Sequence, residues 1–554
     1  MTLRTLVLTA AATIGAATQL AAQSLPTARI DSVFKDFNRM DGPGCTVAVF
    51  EGGEIAYAHG HGMANLEYGI ALQPRSVFHV ASISKQFTAL AVELLVSDGR
   101  VSWDDPIQKY VPEIPEYDHP VTLRHLVHHT SGIRDQWSLL IMAGWRWEAD
   151  LVTQGNAIEV MSRQTALNFD PGAEYLYSNS GFTLLAAVVE RVTGQTLKEF
   201  SEERIFGPLG MSSTHFHDDH ETIVPDRAYG YRHWDDEGWK ISIPDFAIVG
   251  ASALFTTVED MAKWDANLRN HTLGDDALYE RFFDRGVLTN GDTLTYAHGI
   301  TVGPYRGQTA VGHGGADAGY RTNYMRFPDL DVGIVSFCNF ARANPGLYVR
   351  QVADIILEDH LDPVAEDEDE APDVDNDRWA ETFEAMAGFY RDPRQDRPIH
   401  LWVHEGAARG QGGIGRNDGG ALIVPAGDDE FRLWPGGQTF QLGLESGRVT
   451  HMETDGLRFD RIGPPVSDVD PSPYLGTYWS DELGTEYRVE AGEGEATLAL
   501  VHRKQDTRQF SSAFVDGFWV DGDWITFERD SRGQVTGFTW SNGRVRNVKF
   551  ARLP

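Results

Sequence analysis

The sequence predicts an α+β protein: an antiparallel sheet with helices and an inserted helical domain, followed by two small antiparallel β-barrel domains. Three observations carry that prediction. Strand-like runs stand at both ends of the first part of the chain, near Thr46–Ala58 and Gly299–Phe340, with helices and long loops between them. A run over 362–377 holds nine acidic side chains and two prolines; it repels itself, buries nothing and reads as a solvated linker. Beyond it the chain repeats itself at shifts of 88 and 91 residues, in runs that alternate like strands and turns.

Each element follows in order. Met1 to Ala22 carries one early cation, Arg4, then an apolar run from Leu6 to Leu20 and the small residues Ala21 and Ala22. That is the pattern of a secretory signal, and the run is short for a spanning helix. The expected product is secreted or periplasmic, with no membrane contact after cleavage. Ile30, Val33, Phe34 and Phe37 mark one face of a helix over 29–40. Thr46–Phe50 and Ile55–Ala58 flank Gly52-Gly53 as a hairpin. Phe87, Leu90, Ala91, Leu94 and Leu95 form the buried stripe of a helix that Asp98-Gly99 ends. The resulting division is a signal (1–22), a catalytic domain (23–361), a linker (362–378) and two barrels (379–465 and 466–554). Three pairs of marks carry the repeat: Gly388-Phe389-Tyr390 with Gly476-Thr477-Tyr478, Gly447-Arg448-Val449 with Gly543-Arg544-Val545, and Phe459–Ile462 with Phe550–Leu553.

Composition excludes several functions. The 554 residues hold 81 acidic and 47 basic side chains, a net charge of −34, and no basic stripe, so nucleic acid is not a partner. Two cysteines rule out a disulfide scaffold or a thiolate metal cluster. Cys45 and Cys338 lie in apolar, strand-like runs and read as two buried thiols, with pairing as the alternative for an exported protein. His125, His128 and His129, and separately His215, His217 and His220, have metal-like spacing but match no zinc motif. No phosphate-binding glycine loop is present, so no cofactor and no metal are expected.

Three short motifs carry chemistry. Ser82-Ile83-Ser84-Lys85 opens the helix of Phe87–Leu95. It puts a hydroxyl and an amine one turn apart, where a lysine of lowered pKa can activate the serine. Ser32–Lys35 has the same spacing but lies off its helix's apolar face. Tyr177-Ser178-Asn179 offers a phenol for proton relay and an amide for a substrate carbonyl. His313-Gly314-Gly315 suggests a strand edge whose backbone approaches a ligand closely. His404-Glu405-Gly406 fits the same loose pattern and reads as a surface strand end.

Taken in order, these motifs resemble those of the serine β-lactamase-like and penicillin-binding-protein-like hydrolases over roughly residues 29–358. Leu126–Gly132, Pro208–Met211 and Gly312–Tyr320 extend the resemblance. It implies a β-lactamase/transpeptidase-like fold with Ser82 as the acyl-enzyme nucleophile. Lys85 and Tyr177 would shuttle the proton, and Asn179 would bind the substrate amide. His313 and Gly315 would line the substrate strand, and the backbone N–H groups of Ser82 and Ala316 would form the oxyanion hole. Where β-lactamases and penicillin-binding proteins usually carry lysine, this chain has His313, which weakens a penicillin or DD-peptidase reading. His-x-Gly followed by two barrels resembles the D-aminopeptidases. That layout implies a small peptide, amide or ester substrate and release of N-terminal D-residues. A carboxylesterase on the same machinery and a non-catalytic binding protein are the alternatives. The barrels could shape the active-site mouth or support a homodimer.

Overall fold

A computed structural model describes residues 25–554 apart from 148, 235–236, 364–371, 373, 413–419, 428, 435–438, 446–447, 455, 466–468, 495 and 521. The predicted signal and most of the acidic linker lie outside the described residues.

Alternation builds the central sheet. In the strand Cys45–Glu51, Val47 and Val49 face one side while Ala48 and Phe50 face the other, and all four are fully buried. A strand apolar on both faces must lie between two layers. One layer is formed by the helices Thr27–Val33 and Pro345–Ile356, through Ile30, Val349 and Val352. The other is formed by Ser84–Ser97 and Val258–Asn270, through Phe87, Leu90 and Met261. The sheet has six strands in the order Thr301–Tyr305, Gln308–Asp317, Tyr320–Phe327, Val332–Cys338, Cys45–Glu51 and Glu54–His61. Every neighbouring pair is antiparallel. The predicted helix over 29–40 is shorter than expected, running Thr27–Val33 and then one tight turn, Lys35–Phe37. Ser32 and Lys35 are exposed.

The cysteines require a correction. Cys45 and Cys338 are joined as a disulfide, not left as two thiols. The strand register sets them directly opposite one another although they are 293 residues apart. Each sits in a run that a buried thiol would suit equally well, so the sequence alone does not disclose the pairing.

Between the two ends of the sheet lies the helical insertion, including Leu123–Val127, Gln136–Met142, Gln154–Ser162 and Asn179–Thr193. The last of these packs on Ser84–Ser97, so the segments holding Asn179 and Lys85 are neighbours.

Two closed eight-stranded barrels follow. The helix Asn376–Met386 begins within the span read as linker and buries Phe383 and Met386 in the first barrel. In each barrel the first strand pairs with the last. The repeat is visible in side-chain roles. Tyr390 donates to the Met386 carbonyl at 2.7 Å, and Tyr478 to the Tyr474 carbonyl at 2.6 Å. Arg461 and Arg552, on the last strands, donate to carbonyls just before the first strands: Ala385 and Ala387 in one barrel, Pro473 and Leu475 in the other. The Gly-Arg-Val mark is not part of that equivalence. Arg448 opens the seventh strand of its barrel, whereas Arg544 stands between the seventh and eighth strands of the other.

The second barrel shares one continuous apolar cluster with the sheet and insertion, while the first keeps a cluster of its own. Polar contacts reinforce the junction. Arg134 and Glu482 form a buried ion pair at 2.8 Å. Arg546 binds Glu174 at 2.8 Å, and Asn168 Nδ2 donates to the Arg544 carbonyl at 2.9 Å.

Candidate active site

Ser82 stands in a tight turn, Ala81–Ile83, that runs directly into the helix Ser84–Ser97. The residue before it, Ala81, has a φ of 48°, a left-handed conformation costly for alanine. Neighbouring contacts hold the turn: Ser84 Oγ donates to the Ala81 carbonyl at 2.5 Å and accepts from the Leu254 N–H at 3.0 Å. Thr322 Oγ1 donates to the Val80 carbonyl at 2.9 Å. Gly315 lets the substrate strand come this close. A Cβ there would lie 2.3 Å from the Val80 carbonyl and 2.3 Å from Thr322 Oγ1. The glycine therefore sets the spacing between the Ser82 turn and the strand that carries Ala316.

Lys85, one helical turn on, is fully buried. Its Nζ lies 3.2 Å from Ser82 Oγ, 3.0 Å from Asn179 Oδ1 and 2.7 Å from the Ala251 carbonyl. Burial drives its pKa well below the ordinary lysine value. The charge on Arg544 pushes the same way, and Asp135 and Asp317 oppose it. The Tyr177 ring lies 4.9 Å from the ammonium nitrogen. Burial pushes the Tyr177 phenol upward, partly offset by a hydrogen bond to Ser82 and by the Arg544 charge.

The remaining predicted residues converge on the same place. Ser82, Tyr177, Asn179, Gly315 and Ala316 all border one open cavity of about 930 Å³. His313 lies on the same strand, with its ring 6.3 Å from that of Tyr177. It is held neutral: burial and the Lys85 charge lower its pKa to about 4. Its Nδ1 donates to the Gly314 carbonyl and its Nε2 accepts from the Tyr296 hydroxyl at 2.9 Å. Both ring nitrogens are thereby engaged within the protein, so this imidazole orients Tyr296.

Sequence reasoning misses four residues here. Asp135 Oδ2 accepts from the Asn179 N–H at 2.7 Å and from its Nδ2 at 2.9 Å, while Oδ1 caps the helix Gln136–Met142. It follows Ser131-Gly132 by three residues, and an acidic residue before a helix was the available signal. The His129 ring lies 4.1 Å from the Tyr177 ring, tilted by 36°, and accepts from the Ser178 N–H at 3.2 Å. Tyr296 carries no motif. Arg544 arrives from the second barrel, with its guanidinium carbon 5.1 Å from the Tyr177 ring centroid. No local pattern could announce it.

None of His125, His128, His129, His215, His217 and His220 is among the described residues that border the Ser82 cavity. His125 closes a capping box with Thr122, and His128 bonds the Asp284 carbonyl at 3.2 Å. His215 and His217 contact one another at 3.4 Å. Among the described residues, one group could hold a metal ion: Asp31, His59 and His61, with ligand atoms within 4.8 Å of one another. It lies by the strand Glu54–His61, at the edge of the sheet away from His313. His404 ends a barrel strand and is exposed.

Fold and cavity together define a β-lactamase-fold hydrolase. The chain belongs to the beta-lactamase family, whose sequence model matches residues 30–355. Similarity also extends beyond that domain. A D-aminopeptidase of Brucella anthropi is 26% identical over 533 residues, covering 92% of this chain and 96% of the relative. Penicillin-binding protein 4* of Bacillus subtilis is 31% identical over 301 residues, 51% of this chain and 65% of that one. Among solved structures, the octameric penicillin-binding protein homologue from Pyrococcus abyssi superposes with a TM-score of 0.55 at 22% identity. It covers 78% of this chain and all of that one. Among the described residues, no helix is long and apolar enough to cross a membrane.

Proposed function

We propose that the protein is an exported serine hydrolase that forms an acyl-enzyme on Ser82 and releases N-terminal D-amino acids from peptides or amides. The observation that carries the chemistry is the buried Lys85 amine 3.2 Å from Ser82 Oγ. A neutral amine has two N–H groups and one lone pair. The Asn179 and Ala251 oxygens accept the two hydrogens, which leaves the lone pair for the Ser82 proton. Lys85 is then the base as Ser82 Oγ attacks the carbonyl carbon. Tyr177, protonated because burial raises its pKa, gives its proton to the leaving nitrogen as the C–N bond breaks. Its phenolate recovers a proton from Lys85. Water then cleaves the acyl ester by the reverse relay. The N–H groups of Ser82 and Ala316 receive the oxyanion, a donor pair worth about 3 kcal/mol each in comparable sites.

The acyl preference rests on kinship over 92% of the chain with D-aminopeptidases and on the neutral His313. Asp317 borders the cavity, and one of its oxygens bonds His79 Nε2 at 2.9 Å and Ser252 Oγ at 3.4 Å; an acidic group there is compatible with an amine-bearing substrate. Export is supported by the Met1–Ala22 pattern and by the disulfide, which persists in oxidising compartments. The test is hydrolysis of D- and L-alanine p-nitroanilide by the wild type and by Ser82→Ala. D-selective release that vanishes in the variant supports the reading; release unchanged by Ser82→Ala would overturn it. The width of the cavity and its Trp137 and Trp147 walls favour a carboxylesterase as the second reading. Aryl esters cleaved orders of magnitude faster than amides would select it.

A further inference from the structure

Arginines border the cavity of this acidic protein: Arg232, Arg321, Arg342 and Arg544 are among its described lining residues. A guanidinium at the edge of a cleft attracts ligands of opposite charge. Arg544 is the arginine placed beside the proposed proton donor. It forms, with Gly543, the two-residue tip of the hairpin between Val535–Asn542 and Val545–Arg552.

The tip is fixed. Asn542 Oδ1 accepts from the N–H groups of Arg544 and Val545, at 2.9 and 3.0 Å. The Arg544 carbonyl accepts from Asn168 Nδ2 at 2.9 Å. The guanidinium lies over the Tyr177 ring, 3.9 Å from Asp135 Oδ2, and its side chain is 47% exposed. Asp135 is a distant partner, because its oxygens already accept four hydrogen bonds from the Asn179 backbone and amide and from Trp137 and Ser138. The guanidinium fork is therefore available to a ligand.

We infer that Arg544 binds the carboxylate of the leaving group, so that the preferred substrates are short peptides whose leaving portion is a single free amino acid. This rests on the proposed role of Tyr177 in protonating the leaving nitrogen. In an amino acid the carboxyl carbon lies two bonds, ~2.5 Å, from that nitrogen. A carboxylate at that distance falls within reach of a guanidinium whose carbon lies 5.1 Å from the Tyr177 ring centroid. Each additional residue carries it roughly 3.5 Å farther away. Arg544 thus supplies the anion contact that neutral His313 cannot.

The experiment compares kcat/KM for D-alanyl-glycine and D-alanyl-glycinamide, which differ in the terminal carboxylate, and in parallel for 2-carboxyphenyl and phenyl acetate, which need no amine. The expected wild-type preference for the acid is at least tenfold in each pair. It falls to near unity in Arg544→Ala and inverts in Arg544→Glu. Taking ratios removes any effect of Arg544 on the Lys85 or Tyr177 proton, since both members of a pair share it. A wild-type ratio near one, or a ratio unchanged in Arg544→Ala, would overturn the inference. Cleavage of neither dipeptide together with an Arg544-dependent ratio for the esters would retain the carboxylate contact of Arg544 and overturn both the dipeptide preference and the D-aminopeptidase reading.

Discussion

At the scale of single residues, the account turns on the protonation of Lys85. Burial lowers its pKa, so the amine reaches its neutral, basic form at a lower pH than an exposed lysine would. Activity therefore rises with pH along an acid limb set by Lys85. The Arg544 charge lowers that pKa further, so Arg544→Ala is expected to move the limb of kcat/KM to higher pH. Ser82→Ala abolishes turnover, and Lys85→Ala lowers it by at least a thousandfold, because Tyr177, the other group bonded to Ser82, is held protonated by its burial. Asp135→Ala removes both supports of Asn179 and the cap of the helix Gln136–Met142. That cap alone accounts for about 1 kcal/mol of stability, measurable by urea denaturation, and the lost positioning appears as a higher KM.

At the scale of elements, Gly315 is the sharpest probe. In Gly315→Ala the new methyl meets the Val80 carbonyl and Thr322 Oγ1 at 2.3 Å. The strand must withdraw from the Ser82 turn by about an ångström, a misplacement that can cost on the order of a hundredfold in rate. The fold itself should survive, with an unchanged far-ultraviolet circular dichroism spectrum. The sheet strands, the Ser84–Ser97 helix and both barrels are legible in sequence because each obeys a period: two for Val47–Phe50, three to four for Phe87–Leu95, about ninety for the barrels. Ser82, Lys85, Tyr177 and Asn179 are legible because their order and spacing carry chemistry. Asp135, Tyr296 and the Cys45–Cys338 bond are not, because their roles depend on contacts between segments far apart in the chain. The Gly-Arg-Val mark shows the opposite error, since Arg448 opens the seventh strand of its barrel whereas Arg544 precedes the eighth strand of the other.

At the scale of the whole molecule, the second barrel packs as one unit with the β-lactamase-fold domain around the cavity. It shares the main apolar cluster, places Arg544 in the cavity and joins the insertion through Arg134–Glu482. Although burial alone would raise it, Arg134 and backbone N–H groups hold the Glu482 carboxyl below its ordinary pKa. Removing one partner leaves a buried charge, so Glu482→Gln should destabilise the protein by about 3–5 kcal/mol. Its melting temperature and its activity should fall together. Reduction of the disulfide should cost about 2–4 kcal/mol, read as a lower melting temperature under dithiothreitol. The most direct test of the central claim is peptide mass mapping after reaction with a fluorophosphonate, for the wild type, Ser82→Ala and Lys85→Ala. The account predicts one adduct, on Ser82, absent from Ser82→Ala and formed far more slowly in Lys85→Ala. An adduct on another residue, or a wild-type protein that turns over substrate with Ser82 unlabelled, would contradict it.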